Sequence, residues 1–256
     1  MAYTSVRSLK KSVSKPAVNR NIGQQVQNKI LLGLPKREWA ALSSKLKFVS
    51  LPVRTVLNQI AEPIKFGYFM NDGLASVLSI MGDGKSVEVG LCGREGFVGL
   101  PLVAGFSTSP TRVIVQVGGS AFRVSTKDLI AALRDCPGLA TALQRFTQEL
   151  GLQSSQVAAC NRLHDVDERL ARWLLMSQDR LGGNDLVPLT QEFLAHMLGT
   201  RRASVTVAAG ILQKAGLITY KRGSVRVNNR ALLEDATCEC YLTMTRQAKK
   251  WQAETS

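Results

Sequence analysis

Thr190-Gln-Glu-Phe-Leu-Ala-His-Met-Leu-Gly199, Thr200-Arg-Arg-Ala-Ser-Val-Thr-Val-Ala-Ala-Gly-Ile-Leu-Gln-Lys214 and Ala215-Gly-Leu-Ile-Thr-Tyr-Lys-Arg-Gly-Ser-Val-Arg-Val227 run on without a break. Thr190 is placed to cap a short helix whose buried face is Leu194, Ala195 and Leu198. Gly199 permits a tight turn, and Thr200 caps a second helix with Val205, Ala208, Ala209 and Leu212 inward. Two short helices joined at a glycine follow the helix-turn-helix plan. After Gly216, Leu217–Tyr220 and Ser224–Val227 read as two strands around Lys221-Arg222-Gly223, a basic hairpin wing.

This geometry points to double-stranded DNA. The start of the second helix fits a major groove, where an arginine can donate two bonds to guanine, while wing cations hold phosphates. Thr200, Arg201, Arg202, Ser204 and Thr206 are the polar positions at that start, with Lys221 and Arg222 in the wing. The alternative makes Arg201 and Arg202 a solvated helix start. Positive charge there opposes the helix dipole, and a DNA phosphate explains the placement better.

The charge distribution agrees. The 256 residues carry 33 Lys+Arg and 19 Asp+Glu, a net +14. Residues 1–37 hold eight basic residues and no acid; residues 190–230 hold seven against Glu192 alone; the remainder is nearly neutral. Charge concentrated in this way is the footprint expected of a protein that meets a polyanion, and solubility alone is the other reading. At 45% hydrophobic residues the chain can bury a core, which excludes a wholly disordered protein. No run reaches the roughly 20 apolar residues of a membrane span, and the first residues lack a secretory apolar run, so a soluble cytoplasmic protein with no membrane partner is expected.

Upstream, residues 1–29 read as a flexible basic arm. Leu31, Leu34, Trp39, Leu42 and Leu46 then recur at helical spacing. From 48 to 124, short β-branched and aromatic runs (48–56, 64–70, 75–81, 86–91, 111–117, 121–124) alternate with turn clusters at Asn71-Asp72-Gly73, Gly82-Asp83-Gly84 and Gly118-Gly119. They predict a small antiparallel β-roll, followed by a helix capped by Ser125. A long helix from 139 to 163 carries Leu139, Leu143, Phe146, Leu150, Gln153 and Val157 at coiled-coil spacing, which favours a dimer seam. The other reading packs this helix on the roll of its own chain. Asp165 and Glu168 form a capping box for the next helix.

A roll with Asp-Gly turns, a long helix, and a Thr-x-Glu/Gln-x-x-Ala-x-x-x-Gly unit followed by an arginine-bearing helix and hairpin resembles the Crp/Fnr family of bacterial transcription regulators. The resemblance covers about residues 30–235. It implies an α+β chain: a basic arm (1–29), a jelly-roll-like cyclic-nucleotide-binding domain (30–136), a dimerisation helix (137–164), a winged helix-turn-helix (165–235) and a C-terminal tail (236–256). It also implies a homodimer on a palindromic operator, with RNA polymerase as a further partner. By position Arg202 matches the family's base-reading arginine, Ser204 a polar contact residue, and Thr190 and Gln191 the start of the supporting helix. Ala203 and Val207 stand where other readers are usual, so the operator should differ from the catabolite-activator consensus.

The sensor half departs from that pattern. In Gly93-Arg94-Glu95-Gly96-Phe97-Val98-Gly99-Leu100-Pro101, Leu100 occupies the place of the family's ribose-binding Glu, and Arg112 falls one residue late for the phosphate-binding Arg. Cyclic-nucleotide control is therefore not expected, and Arg94 and Arg112 remain candidates for an anionic effector. The rival reading, a receptor whose DNA binding is switched by a nucleotide or other small effector, stays open. No catalytic constellation is present, so no enzyme is expected. Cys92, Cys136 and Cys160 are widely spaced, Cys238-x-Cys240 lacks a second pair, and the two histidines are 32 residues apart. From spacing alone no metal or cofactor is assigned, and Cys238 and Cys240 are redox-sensitive only if exposed.

Overall fold

The computed structural model describes residues 26–183, 186–188, 191–221 and 223–254. Most of the stretch expected as a basic arm, up to residue 25, and Thr190 and Arg222 lie outside them. Two long strands form the middle of the roll: β3 (Phe66–Ile80) and β6 (Arg112–Ser125) pair antiparallel along most of their length. Around them lie β1 (Lys47–Leu51) and β2 (Val56–Asn58) on β6, and β4 (Ser86–Cys92) and β5 (Phe97–Val98) on β3, with the order β1-β6-β3-β4.

Two of the expected turns are not turns. β3 runs straight through Asn71-Asp72-Gly73 and β6 through Gly118-Gly119. The pairing shifts register between Met70 and Ala75, and a Cβ on Gly119 would lie 2.4 Å from the Asp72 carbonyl carbon. The glycines serve opposed bulges that curl the sheet rather than ends of strands. Gly82-Asp83-Gly84 does turn, linking β3 to β4.

Helix α1 (Lys29–Leu32) and α2 (Lys36–Ser43) close one end of the roll. Asn28, expected within a flexible arm, is fully buried. Its side chain donates to the Met70 and Gly96 carbonyls, both at 2.8 Å, and accepts from Leu31 N. Ser125 caps α3 (Thr126–Asp135) as its sequence predicts. The long helix α4 (Pro137–Leu163) starts on the Glu38 carboxylate, which accepts from Gly138 N at 3.0 Å and Leu139 N at 2.9 Å.

The apolar seam of α4 packs on its own chain, which corrects the dimer-seam expectation for these residues. Leu139, Leu143, Phe146, Gln153 and Val157 are all buried in the single chain. Phe146 lies under Gly96 and Leu150 against Gly90. Gln153 accepts from Leu91 N and Ser154 donates to the Val89 carbonyl, so α4 satisfies backbone groups of the edge strand β4.

The capping box at Asp165 and Glu168 opens α5 (Val166–Arg180). Then follow β7 (Leu186–Pro188), α6 (Gln191–Met197), α7 (Arg202–Lys214), β8 (Ile218–Lys221), β9 (Ser224–Val227) and α8 (Arg230–Asp235). The stretch expected as a tail folds as α9 (Cys240–Ala253), with Cys240, Tyr241 and Met244 buried against α4 and α5. One core fills the roll; the other joins Leu74, Leu78 and Leu91 of the roll to α5, α6, α7 and the wing. No helix among the described residues is long and apolar enough to cross a membrane.

Candidate nucleic-acid interface

α6 and α7 meet at Gly199, whose φ of 57° suits glycine. Leu194, Ala195 and Leu198 of the first helix and Val205, Ala208, Ala209 and Leu212 of the second are buried, as their spacing predicts. From α5, the buried Arg169 donates through Nη2 to the Leu198 carbonyl and so satisfies the end of α6.

The cap of α7 differs from expectation by one residue. Arg201 takes the N-cap position with extended backbone and no side-chain cap bond, because the turn after Gly199 carries Thr200 beyond the helix. The first turn of α7 therefore keeps amide donors that face outward beside two exposed arginines, Arg201 and Arg202. Ala203 and Thr206 share that exposed face, and Ser204 is half-buried beside them. Val207 is 64% exposed and Ile211 49%, an uncommon display of apolar side chains on a helix otherwise buried by its inner face. Gln191 lies at the start of α6.

In the wing, β9 pairs with both β7 and β8, and Lys221 sits opposite Ser224 at the exposed hairpin end. Arg226, exposed on β9, is a candidate the sequence reading left out. Its signal was the alternation Ser224-Val225-Arg226-Val227, which turns Val225 and Val227 inward and Arg226 outward. Arg230 leaves the basic set. It pairs with Asp179 and Glu234, both at 2.8 Å, and is a structural link between α5 and α8.

The effector candidates engage separate partners. Arg112 donates to Gln59 at 2.7 Å and alternates with Val113 and Val115 of the roll core; the Arg94 guanidinium lies against Gly182. Neighbouring Glu95 pairs with Arg180 of α5 at 2.9 Å, tying the β4–β5 loop to the helix that carries the helix-turn-helix.

Three polar clusters tie α5 and α9 to the elements they pack on. Glu88 of β4 accepts from Trp173 Nε1 at 2.9 Å, and burial raises its carboxyl pKa to about 7, against the opposing pull of Ser76, Trp173 and the Arg172 and Arg180 fields. Tyr241 donates to Asp179 at 2.9 Å. Cys160, His164, Cys238 and Cys240, which spacing alone kept apart, come together between α4 and α9.

Residues 168–236 match the family model of the Crp-like helix-turn-helix domain. No curated protein sequence matches the chain. Among solved structures, FixK2 from Bradyrhizobium japonicum is similar over 75% of this chain and 98% of its own, with 17% identity and a TM-score of 0.65. The c-di-GMP-responsive global regulator CLP from Xanthomonas campestris is similar over 76% of this chain and 100% of its own (17% identity, TM-score 0.63). A CRP-family transcriptional regulator from Thermus thermophilus covers 74% and is itself covered to 95% (19% identity, TM-score 0.59). The chain joins a winged helix-turn-helix to an antiparallel roll through a long helix. Residues 168–236 form a Crp-like helix-turn-helix domain, and the chain as a whole shares the fold of these structures.

Proposed function

We propose that the protein reads a palindromic DNA site as a homodimer, with α7 in the major groove and the wing on the flanking backbone. The exposed start of α7 carries this reading: two arginines on an uncapped helix end, with Lys221 and Arg226 exposed on the adjoining wing. Arg202 is the proposed base reader, and Arg201, Thr200, Ser204 and Thr206 support it. Val207 and Ala203 offer apolar contact to thymine methyls. Gln191, Thr190 and Arg222 are proposed backbone contacts, and RNA polymerase a partner at the promoter. Two half-sites about one helical turn (~34 Å) apart would meet the two copies of α7.

The dimer reading moves to the other face of α4. Thr141, Gln144, Gln148, Gly151, Ser155, Ala158 and Arg162 are all exposed and follow the same alternating three-and-four spacing. Small residues in the second half of this stripe allow close approach of two helices.

The sensor roll is proposed as a platform with a degenerate nucleotide site. Its core is filled by Phe69 and Phe97, whose ring centroids are 4.6 Å apart, and Phe97 lies directly under Gly67. Calorimetry showing micromolar cyclic AMP or cyclic GMP binding would restore the effector-switched alternative.

The deciding experiment selects bound sequences from random DNA and then measures affinity by fluorescence anisotropy. Arg202→Ala should cost about 1 to 3 kcal/mol on the selected site and far less on random DNA. Lys221→Ala should weaken both alike and reduce the salt slope by about one. Equal losses on both DNAs for Arg202→Ala would remove its base-reading role.

A further inference from the structure

We propose that Cys160, His164, Cys238 and Cys240 form a tetrahedral zinc site that fastens the C-terminal helix to the end of α4. Three thiols and one imidazole present four ligand atoms, all within 4.8 Å of one another. Cys160 Sγ and Cys238 Sγ are 3.5 Å apart, and Cys240 Sγ lies 3.5 Å from His164 Nδ1. A zinc tetrahedron with Zn–S bonds of about 2.3 Å has sulfur–sulfur edges of about 3.8 Å, so small side-chain shifts bring these atoms onto one ion. Cys3His is an established structural zinc donor set.

The surroundings are those of a ligand set rather than of stray thiols. Cys160 and Cys240 are fully buried and Cys238 nearly so. With Nδ1 turned to the sulfurs, the other ring nitrogen of His164 lies 3.1 Å from the Glu239 carboxylate. That contact fixes the tautomer a metal ligand needs and raises its basicity. Gln156 Nε2 is 3.2 Å from Cys240 Sγ, an N–H donor suited to a thiolate.

The charge balance agrees with the geometry. Arg169 and Arg172 are buried, and neither forms an ion pair with a carboxylate among the described residues. The Arg169 charge acts on Cys160 and Cys238, and that of Arg172 on Cys160 and also on Glu88. Zn²⁺ with three thiolates and a neutral imidazole carries a net charge of −1, which supplies the counter-charge these guanidiniums lack. Binding releases three thiol protons to solvent, and no oxidant or reductant is required.

The position gives the site a purpose. Cys160 is in the last turn of α4 and His164 is its C-cap, just before the capping box that opens α5. Cys238 precedes α9 and Cys240 is its first residue. One ion would lock the joint between the long helix and the DNA-binding half to the end of the chain.

The full-length protein, purified in reducing buffer and desalted, should hold one zinc per chain by elemental analysis. Replacement by Co²⁺ should give the visible d–d bands of a tetrahedral thiolate site. Cys240→Ser and Cys160→Ser should lose the metal, with circular dichroism reporting whether the fold remains. Glu239→Gln, on an exposed side chain, should keep the fold and weaken zinc about 10- to 100-fold in competition with a chromogenic chelator. These measurements need no DNA, so they stand or fall apart from the regulatory reading. Folded wild-type protein that retains no zinc after reconstitution, a Cys160–Cys238 disulfide in freshly prepared protein, or stoichiometric iron with acid-labile sulfide would each overturn the proposal.

Discussion

Glu88 is a carboxyl group sealed between the roll and α5, with one oxygen on Trp173 and the other unpaired among the described residues. Its pKa of about 7 lies above its ordinary value of 4.5, so the native state binds its proton more tightly than the unfolded chain does. The stability this confers is complete below about pH 4.5 and is lost as pH rises through 7. Urea unfolding of wild type and Glu88→Gln should therefore converge in acid and separate toward pH 8. There the amide variant should be the more stable by an amount on the order of 2 to 3 kcal/mol. Parallel pH profiles for the two proteins would show that the buried carboxyl is not the source. Sequence offered no sign of this residue, since Ser86-Val-Glu-Val-Gly90 alternates like a strand with Glu outward. The outer face of β4 is covered by α5 and α6, and that covering is tertiary.

At the scale of elements, α4 shows how one helix can have two seams. Its apolar stripe covers the edge strand β4 and the roll, and its small polar stripe remains on the surface. Gly151 lies on the second stripe with no atom within 4 Å of where a Cβ would stand. Gly151→Arg should fold normally as a single chain and weaken the dimer tenfold or more, ~1.4 kcal/mol, in sedimentation measurements. An unchanged dimer would exclude this face. The start of α4 depends on a residue from another helix. Glu38→Ala removes the carboxylate that holds Gly138 N and Leu139 N, and should cost about 1 kcal/mol in thermal or urea unfolding. The heptad spacing of α4 was visible in sequence, but its partner was not: a stripe of Leu and Phe reads the same against a second copy or against a roll.

For the whole molecule, the +14 charge divides into parts with different roles. Arg230 is neutralised by Asp179 and Glu234, while Arg201, Arg202, Lys221 and Arg226 stay exposed on the helix-turn-helix and wing. Val26 and Asn28 are buried, so a deletion that tests the proposed arm should stop at residue 25 and remove Arg7, Lys10, Lys11, Lys15 and Arg20. That truncation should leave the melting temperature unchanged and lower the magnitude of the salt slope of DNA binding. An unaltered slope would take the arm out of the interface.

The sequence by itself determined the local plan: the helical spacing around Gly199, the basic wing, the capping box at Asp165 and the strand-rich middle of the chain. These are signals within one or two turns or one strand, where side-chain periodicity and caps act. Whether Asp72-Gly73 ends a strand or bulges it depended on Gly119, a residue from the opposing strand. Whether α4 faces itself or the roll depended on the unpaired edge of β4. The Cys160–Cys238 pairing spans 78 residues, and no spacing rule connects positions that only the return of α9 onto α4 brings together. Tertiary structure decided these points because each turns on which surfaces are left to be covered once the local elements have formed.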